Sequence, residues 1–315
     1  MTDPAPEAPA GGVGRVAVLA NPAAGRGRGA RELAAVLGAL RAAGLTVEQV
    51  GGAAAAEAEA ACAKAVGDGV DALVAVGGDG TIHLAVQAVA GTATPLGIVP
   101  CGTGNDLATA LGVPADPVRA ATLLARRLLA GDTTTVDAVR ATDSGGEFRR
   151  WWACVLASGF DSAVNERANR MRWPRGARRY DVAIFAELAR LRALPYRLTL
   201  DGTEVETAAV MVAVGNTDSY GGAMHICPAA DPTDGLLDVT VVGPVGRTQL
   251  VRLKSRLYTG THVEHPLVTT YRAAEVRLDA PEVTAYADGE PLAPLPLVLT
   301  CVPGALTVLA PGRRG

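Results

Sequence analysis

An apolar run, Val70-Asp71-Ala72-Leu73-Val74-Ala75-Val76, stops abruptly at Gly77-Gly78-Asp79-Gly80-Thr81. A stretch with so little alternation suits a strand covered on both faces, and such strands belong to parallel sheets flanked by helices. The glycines that end it permit backbone angles that side chains resist, and their N–H groups can close on an anion. A carboxylate beside phosphate is repelled unless a cation or a ribose hydroxyl intervenes. Asp79 therefore turns the reading toward a nucleotide with its magnesium, although a tight strand-to-helix turn would use the same glycines.

Two more apolar segments end in the same way. Residues 13–20 lead into Asn21-Pro22-Ala23-Ala24-Gly25, and residues 96–99 into Pro100-Cys101-Gly102-Thr103-Gly104-Asn105-Asp106. Helical patterns at 30–43, 53–66 and 82–90 lie between these segments, with a further strand at 45–50. Strands alternating with helices predict a parallel sheet that binds its ligand at the carboxyl ends of the strands, where the three loops would meet.

The texture changes after about Asp137. Segments at 151–157, 196–200, 208–214, 236–242, 275–278 and 297–302 are β-rich, and helices become rare apart from an insertion at 180–194. The expected fold class is α/β plus β. A nucleotide-binding parallel-sheet domain would span 13–139 and an antiparallel β domain 140–302, with a basic helical insertion near 165–195. Residues 1–12 read as a disordered tail, 303–312 are expected to return to the first domain, and no internal repeat suggests a solenoid or propeller.

Net charge is −3 over 315 residues, which argues against nucleic acid as a partner. Five cysteines without CxxC spacing read as buried thiols in a reducing, cytoplasmic setting rather than as disulfides or a zinc site. The first residues lack the basic and apolar pattern of a secretory signal, and no stretch reaches the ~18 apolar residues of a membrane span, so any lipid contact should be peripheral.

Taken in order, the three glycine loops and the motifs after them resemble the diacylglycerol kinase catalytic domain family of bacterial lipid kinases and their sphingosine and ceramide kinase relatives. The later motifs are Val136-Asp137, Ser158-Gly159-Phe160-Asp161, Gly215-Asn216, Tyr220-Gly221-Gly222-Ala223-Met224, Pro228-Ala229-Ala230, Asp234-Gly235-Leu236-Leu237-Asp238-Val239 and Asp288-Gly289-Glu290. The resemblance implies phosphorylation of a lipid hydroxyl by ATP with Mg2+, most simply diacylglycerol giving phosphatidic acid. It also implies an NAD-kinase-like nucleotide domain, a C-terminal β-sandwich domain and a cleft between them.

Carried over residue by residue, the resemblance makes Asn21, Pro22, Ala23, Ala24 and Gly25, then Gly77, Gly78, Asp79, Gly80 and Thr81, then Gly104 and Asn105, the ATP-binding positions. Glu290 matches the family's base, which takes the proton of the attacking hydroxyl, and Asp137 matches a second catalytic carboxylate. Asp234 matches the side-chain ligand of an accessory magnesium, whose carbonyl ligands fall at Asp231 and Leu236. Plainer readings stand beside these: Glu290 as a turn residue, Asp137 as a strand end, Asp234 as part of an Asp-Gly hairpin, and Asn105 and Asp106 as helix caps.

The chain also departs from the pattern. Thr233 stands where relatives often carry an aspartate, His83 and Leu84 stand where many carry Asn-Glu, and Gly52 replaces a hydroxyl residue. His83 reads as a helix residue near the phosphates. Arg167, Arg170, Arg172, Arg175, Arg178 and Arg179 crowd around Trp173, with Arg190, Arg192 and Arg197 beyond, which suits docking on anionic lipid and equally suits a solvated loop with ion pairs. A kinase of a sphingoid or other lipid, a kinase of a soluble acceptor and a nucleotide-binding regulator without turnover remain alternatives. The oligomeric state stays open, a homodimer being one outcome.

Overall fold

The computed structural model describes residues 14–20, 28–147, 149–171, 173 and 178–312. The first half alternates as expected: β1 (Arg15–Ala20), α1 (Arg28–Ala42), β2 (Thr46–Val50), α2 (Ala55–Gly67), β3 (Ala72–Gly77), α3 (Asp79–Val89), β4 (Leu96–Pro100), α4 (Asp106–Ala110), α5 (Pro117–Leu129) and β5 (Thr134–Asp143). There follow β6 (Arg149–Trp152), β7 (Val155–Gly159), α6 (Phe160–Arg170), α7 (Arg178–Leu188), β8 (Leu194–Leu200), β9 (Thr203–Ala209), β10 (Met211–Gly215) and β11 (Leu237–Val242). The chain closes with α8 (Arg247–Leu257), β12 (Val268–Ala273), β13 (Glu275–Asp279), β14 (Thr284–Ala287), β15 (Glu290–Pro294) and β16 (Leu297–Val308).

Strands β2-β1-β3-β4 are parallel, and β3 and β4 are buried along their whole length. Helices α1 and α5 cover one face through Val36, Leu40 and Leu124. Helix α5 starts where Asp116 accepts the Arg119 N–H at 2.8 Å with Pro117 at the first helical position, a pairing that satisfies one orphan donor and needs none from proline. The same sheet continues into antiparallel strands in the order β16-β13-β8-β9, with β5 also paired to β16. A second antiparallel sheet, β12-β11-β10-β7-β14-β15, lies over those strands. Val139, Leu198 and Leu278 on one side meet Leu156, Val212 and Leu237 on the other in a shared core, which makes this half a sandwich.

The division expected at residue 302 falls inside β16. This strand breaks register between Val302 and Leu306 and then pairs Val308 in parallel with Leu96 of β4. The expected strand at 151–157 is two strands in different sheets, because Trp152 pairs with Val139 while Val155 pairs with Gly215. Its unbroken apolar run hid that switch. Helices α6 and α8 were not expected, and the helical insertion ends at Leu188, with Leu194 already in β8.

Candidate active site

Strand β3 ends at Gly77, and the glycine motif after it is the first turn of α3 rather than a loop. Gly78 is the N-cap residue, and its carbonyl accepts from Thr81 and Ile82 at 3.0 and 3.1 Å. The first N–H groups of a helix have no intrahelical partner, so this end is suited to an anion. The second and third glycine segments touch backbone to backbone: a Cβ on Gly78 would stand 3.2 Å from the Gly102 Cα. A Cβ on Gly104 would collide with the Asp79 carboxylate, and one on Gly77 would come within 2.6 Å of the Thr81 Cβ. Thr81 is buried beneath this turn and does not line the cleft.

Asp79 braces the third segment. Its two carboxylate oxygens accept the N–H groups of Asn105 at 2.9 Å and Asp106 at 2.7 Å. Asn105 caps α4 in the left-handed conformation, φ 58°, and its side chain exchanges hydrogen bonds with the backbone of Gly102 at 2.9 and 3.0 Å. Asp106 is thus not the cap. Its carboxylate crosses the cleft to accept the N–H groups of Gly221 at 2.8 Å and Gly222 at 3.3 Å, tying α4 to the Tyr220-to-Met224 turn. Burial and then the Asp79 charge push the Asp106 carboxyl up to about 6 against the pull of those two N–H groups. The contact of Asp106 with Gly221 and Gly222 joins residues more than a hundred apart in sequence, which no local pattern encodes.

The opposite wall comes from the β14–β15 turn. Asp288, at φ 53°, accepts the N–H groups of Ala153 at 3.1 Å and Cys154 at 2.9 Å, and its Oδ2 lies 3.2 Å from Nδ1 of His83. Gln87, one turn along α3, lies 3.3 Å from His83 Nε2 and exchanges hydrogen bonds with the Trp151 backbone. His83 therefore grips the turn that carries Glu290. Oε1 of Glu290 stands 2.6 Å from where a Gly80 Cβ would be. Although Glu290 sits at an open mouth, its carboxyl is raised, first by desolvation in the cleft; His83 opposes the rise, and Asp288 and Asp79 add to it.

From these groups a cavity of about 660 Å³ runs into the sandwich domain. Gly80, Asp106, Asp288 and Glu290 contribute to its lining, and α6, α7 and α8 contribute a mainly apolar part, with Phe160, Val164, Leu188, Leu250, Leu253 and Leu257 alongside Asp161, Asn165 and Lys254. Tyr220 donates to Asp161 within this space, and burial raises the Asp161 carboxyl to about 6 against Tyr220 and Lys254. The i, i+3, i+7 spacing of Leu250, Leu253 and Leu257 was the missed signal for α8.

Other expected site residues lie elsewhere. Asp137 is 3% exposed, does not line the cavity, and accepts the N–H groups of Gly235 and Gly304, each at 2.8 Å. Its position here is that of a brace between two turns. Asp231, Asp234 and Leu236 also lie outside the cavity lining. Residues Asn21, Pro22, Ala23, Ala24 and Gly25, with Arg172 and Arg175, fall outside the described residues. Gly52 has a local reason to be glycine: a Cβ there would lie 2.8 Å from the Ala58 nitrogen.

The two expected magnesium positions differ in fit. At the cleft, glycines leave room beside a helix N-terminus, and Asp79 and Asp106 bring carboxylates that suit a hard cation carried in with phosphate. Among the described residues no group of three or more His, Cys, Asp or Glu forms a ready-made metal cage. At the Asp231–Leu236 turn the fit fails, because Asp234 is the single carboxylate in the expected ligand set and it already pairs with the Arg272 guanidinium.

Residues 15–141 match the Diacylglycerol kinase catalytic domain family, and residues 154–310 match the YegS C-terminal NAD kinase beta sandwich-like domain. The chain is 45% identical over 304 residues to the protein named "Diacylglycerol kinase" of Mycobacterium tuberculosis (strain ATCC 25618 / H37Rv), covering 96% of this chain and 97% of that protein. It is 32% identical over 268 residues to "Probable lipid kinase YegS-like" of Stenotrophomonas maltophilia (strain K279a), covering 81% and 84%. A crystal structure of a diacylglycerol kinase from Bacillus anthracis str. Sterne superposes with a TM-score of 0.68 at 22% identity, over 95% of this chain and 97% of that one, which speaks to fold alone. The chain belongs to the diacylglycerol kinase catalytic domain family and is a lipid kinase.

Proposed function

We propose that the enzyme transfers the γ-phosphate of ATP to the free hydroxyl of diacylglycerol. The observation that carries this reading is one cavity whose lining includes both a glycine-lined helix N-terminus with Glu290 and a mainly apolar part from α6, α7 and α8. The polar part matches what polyphosphate requires, and the apolar part suits acyl chains. Phosphoryl transfer is mostly positioning and charge neutralisation, so the task left to side chains is modest. Gly78 and Gly80 let the polyphosphate approach the backbone, and Asp79 keeps the third segment in place behind it. Glu290 takes the proton of the acceptor hydroxyl, and desolvation raises its carboxyl, the direction that makes a carboxylate a stronger base. Magnesium bound with ATP, held by Asp79 and Asp106, would neutralise the phosphate charge.

The acceptor is favoured over a soluble one by the lining of the cavity, and the relative at 45% identity carries the name of a diacylglycerol kinase. Incubation with labelled ATP, Mg2+ and a panel of diacylglycerol, sphingosine, ceramide and glycerol in detergent micelles tests the reading. Labelled phosphatidic acid as the main product is expected; label only in another acceptor would overturn the assignment.

The same reading implies peripheral contact with a membrane at the cavity mouth. Among the described residues no helix is long and apolar enough to cross one. Several of the arginines singled out in the sequence are in ion pairs: Arg167 with Glu187, Arg170 with Glu166, Arg192 with Glu282 and Arg197 with Glu206. The docking face we propose is instead made by α7 and α8: Phe185 of α7 and Tyr258 at the end of α8 are exposed at 72% and 52%, and the same helices carry Arg178, Arg252 and Lys254.

A further inference from the structure

The turn from Asp231 to Leu236 is where the sequence pattern calls for an accessory magnesium, and its surroundings in this chain are built for something else. Strand β12 pairs Arg272 directly opposite Asp238 of β11. From there the guanidinium spans two carboxylates, with Nε 3.2 Å from Asp238 Oδ2 and Nη2 on Asp234 Oδ2. The other oxygen of Asp234 accepts the Leu236 N–H at 3.0 Å. Thr233, standing where relatives often have an acid, donates its N–H and hydroxyl to Asp231 Oδ1 at 3.0 and 2.6 Å. Asp137 fixes the next residue by accepting the Gly235 N–H at 2.8 Å. The turn is thus pinned at residues 231, 234 and 235 by protein groups alone.

We propose that Arg272 is the built-in cation of this turn, doing the structural work of the accessory magnesium, and that the turn takes up no divalent ion. Two physical differences favour it. Arginine presents a planar fork that holds two carboxylates at once and never loses its charge. Magnesium dehydrates reluctantly and requires near-octahedral oxygens, whereas the turn offers Asp234 already neutralised by the guanidinium and Asp231 engaged by Thr233, with a fixed positive charge at its edge to repel an incoming cation. Exchange of an acid for Thr233 and the presence of Arg272 act in the same direction, since each lowers the negative charge that would attract a metal.

The test is Mn2+ binding to the full chain without nucleotide, read from the loss of the free-ion signal in electron paramagnetic resonance. Wild type and Asp234→Asn are expected to bind Mn2+ identically, since whatever uptake occurs at the cleft does not involve Asp234. Arg272→Met is expected to gain one site, with affinity about tenfold or more above any in wild type, and Arg272→Met with Asp234→Asn to lose it again. Either a wild-type Mn2+ site abolished by Asp234→Asn, or no new site in a folded Arg272→Met, would overturn the proposal. The wild-type comparison with Asp234→Asn stands even where Arg272→Met fails to fold.

Discussion

Oε1 of Glu290 lies 2.6 Å from the position that a Cβ on Gly80 would occupy, so the turn carrying Glu290, the proposed base, rests on the glycine-lined N-terminus of α3. Two parts of the chain some two hundred residues apart therefore set one distance. Gly80→Ala should push the carboxylate away and lower kcat by about 10- to 100-fold, the usual penalty for a displacement near 1 Å, while leaving the melting temperature nearly unchanged. Steady-state kinetics together with a thermal melt check this. An unchanged kcat would show that the contact does not govern catalysis.

Glu290→Gln removes the proton acceptor while keeping the shape, and kcat should fall by about 10²- to 10⁴-fold with little change in the KM for ATP. A base acts only when deprotonated, and the Glu290 carboxyl is raised above its ordinary value. The rate should accordingly climb with pH on the acid side, with its limb above the usual glutamate range. A flat kcat/KM profile between pH 4.5 and 7 would contradict the assigned role.

His83 touches the turn that carries Glu290, the proposed base, through Asp288, and its charge opposes the rise of the Glu290 carboxyl. His83→Ala should reduce kcat by about tenfold and move the acid limb to higher pH. His83→Asn retains a donor toward Asp288 and should recover most of kcat while keeping the displaced limb. A purely structural role would leave the limb where it is in both variants.

Asp161 is raised to about 6 from an ordinary 3.8 because it is buried in the cavity wall. A carboxyl that is easier to protonate when folded adds stability that is fully present below the unfolded value and is lost as pH rises through the folded one. Between pH 4 and 6 the protein should lose this contribution, and Asp106 adds to the trend. Asp161→Asn should flatten the dependence and raise the melting temperature at pH 7 by about 2 °C, as followed by calorimetry at several pH values.

Contact with the membrane is checked by sedimentation with vesicles containing anionic phospholipid. Phe185→Ser with Tyr258→Ser should reduce the bound fraction severalfold, whereas Arg197→Gln, whose partner is Glu206, should change it little. Equal loss from both would point back to the ion-paired arginines.

What could be read from the sequence depended on whether a signal was local. The alternation of buried strands and helices through β5, and the glycine motifs at their ends, state their geometry within a few residues. The resemblance points to Glu290, yet its closeness to Gly80 depends on how the β14–β15 turn meets α3, which no local pattern encodes. Asp137 shows the same limit: a strand-end carboxylate suits chemistry or bracing, and only the partners Gly235 and Gly304 reveal the bracing. Helix α8 was legible in its leucine spacing but was overlooked among strands, and the change of sheet between Trp152 and Val155 left no mark because both sides are equally apolar.

Strand β16 has a consequence for how the protein is made. Strand β5, which completes the first half of the chain, pairs with β6 and β16, and its link to the parallel strands runs through β16, synthesised more than 150 residues later. During translation the parallel-sheet half emerges with one sheet edge open at Leu96, and it is sealed only when Val308 and Leu309 leave the ribosome. The first stretch of β16, up to Val302, completes the sandwich, and the parallel sheet closes only with the stretch after it, so the two halves are finished by one strand in succession.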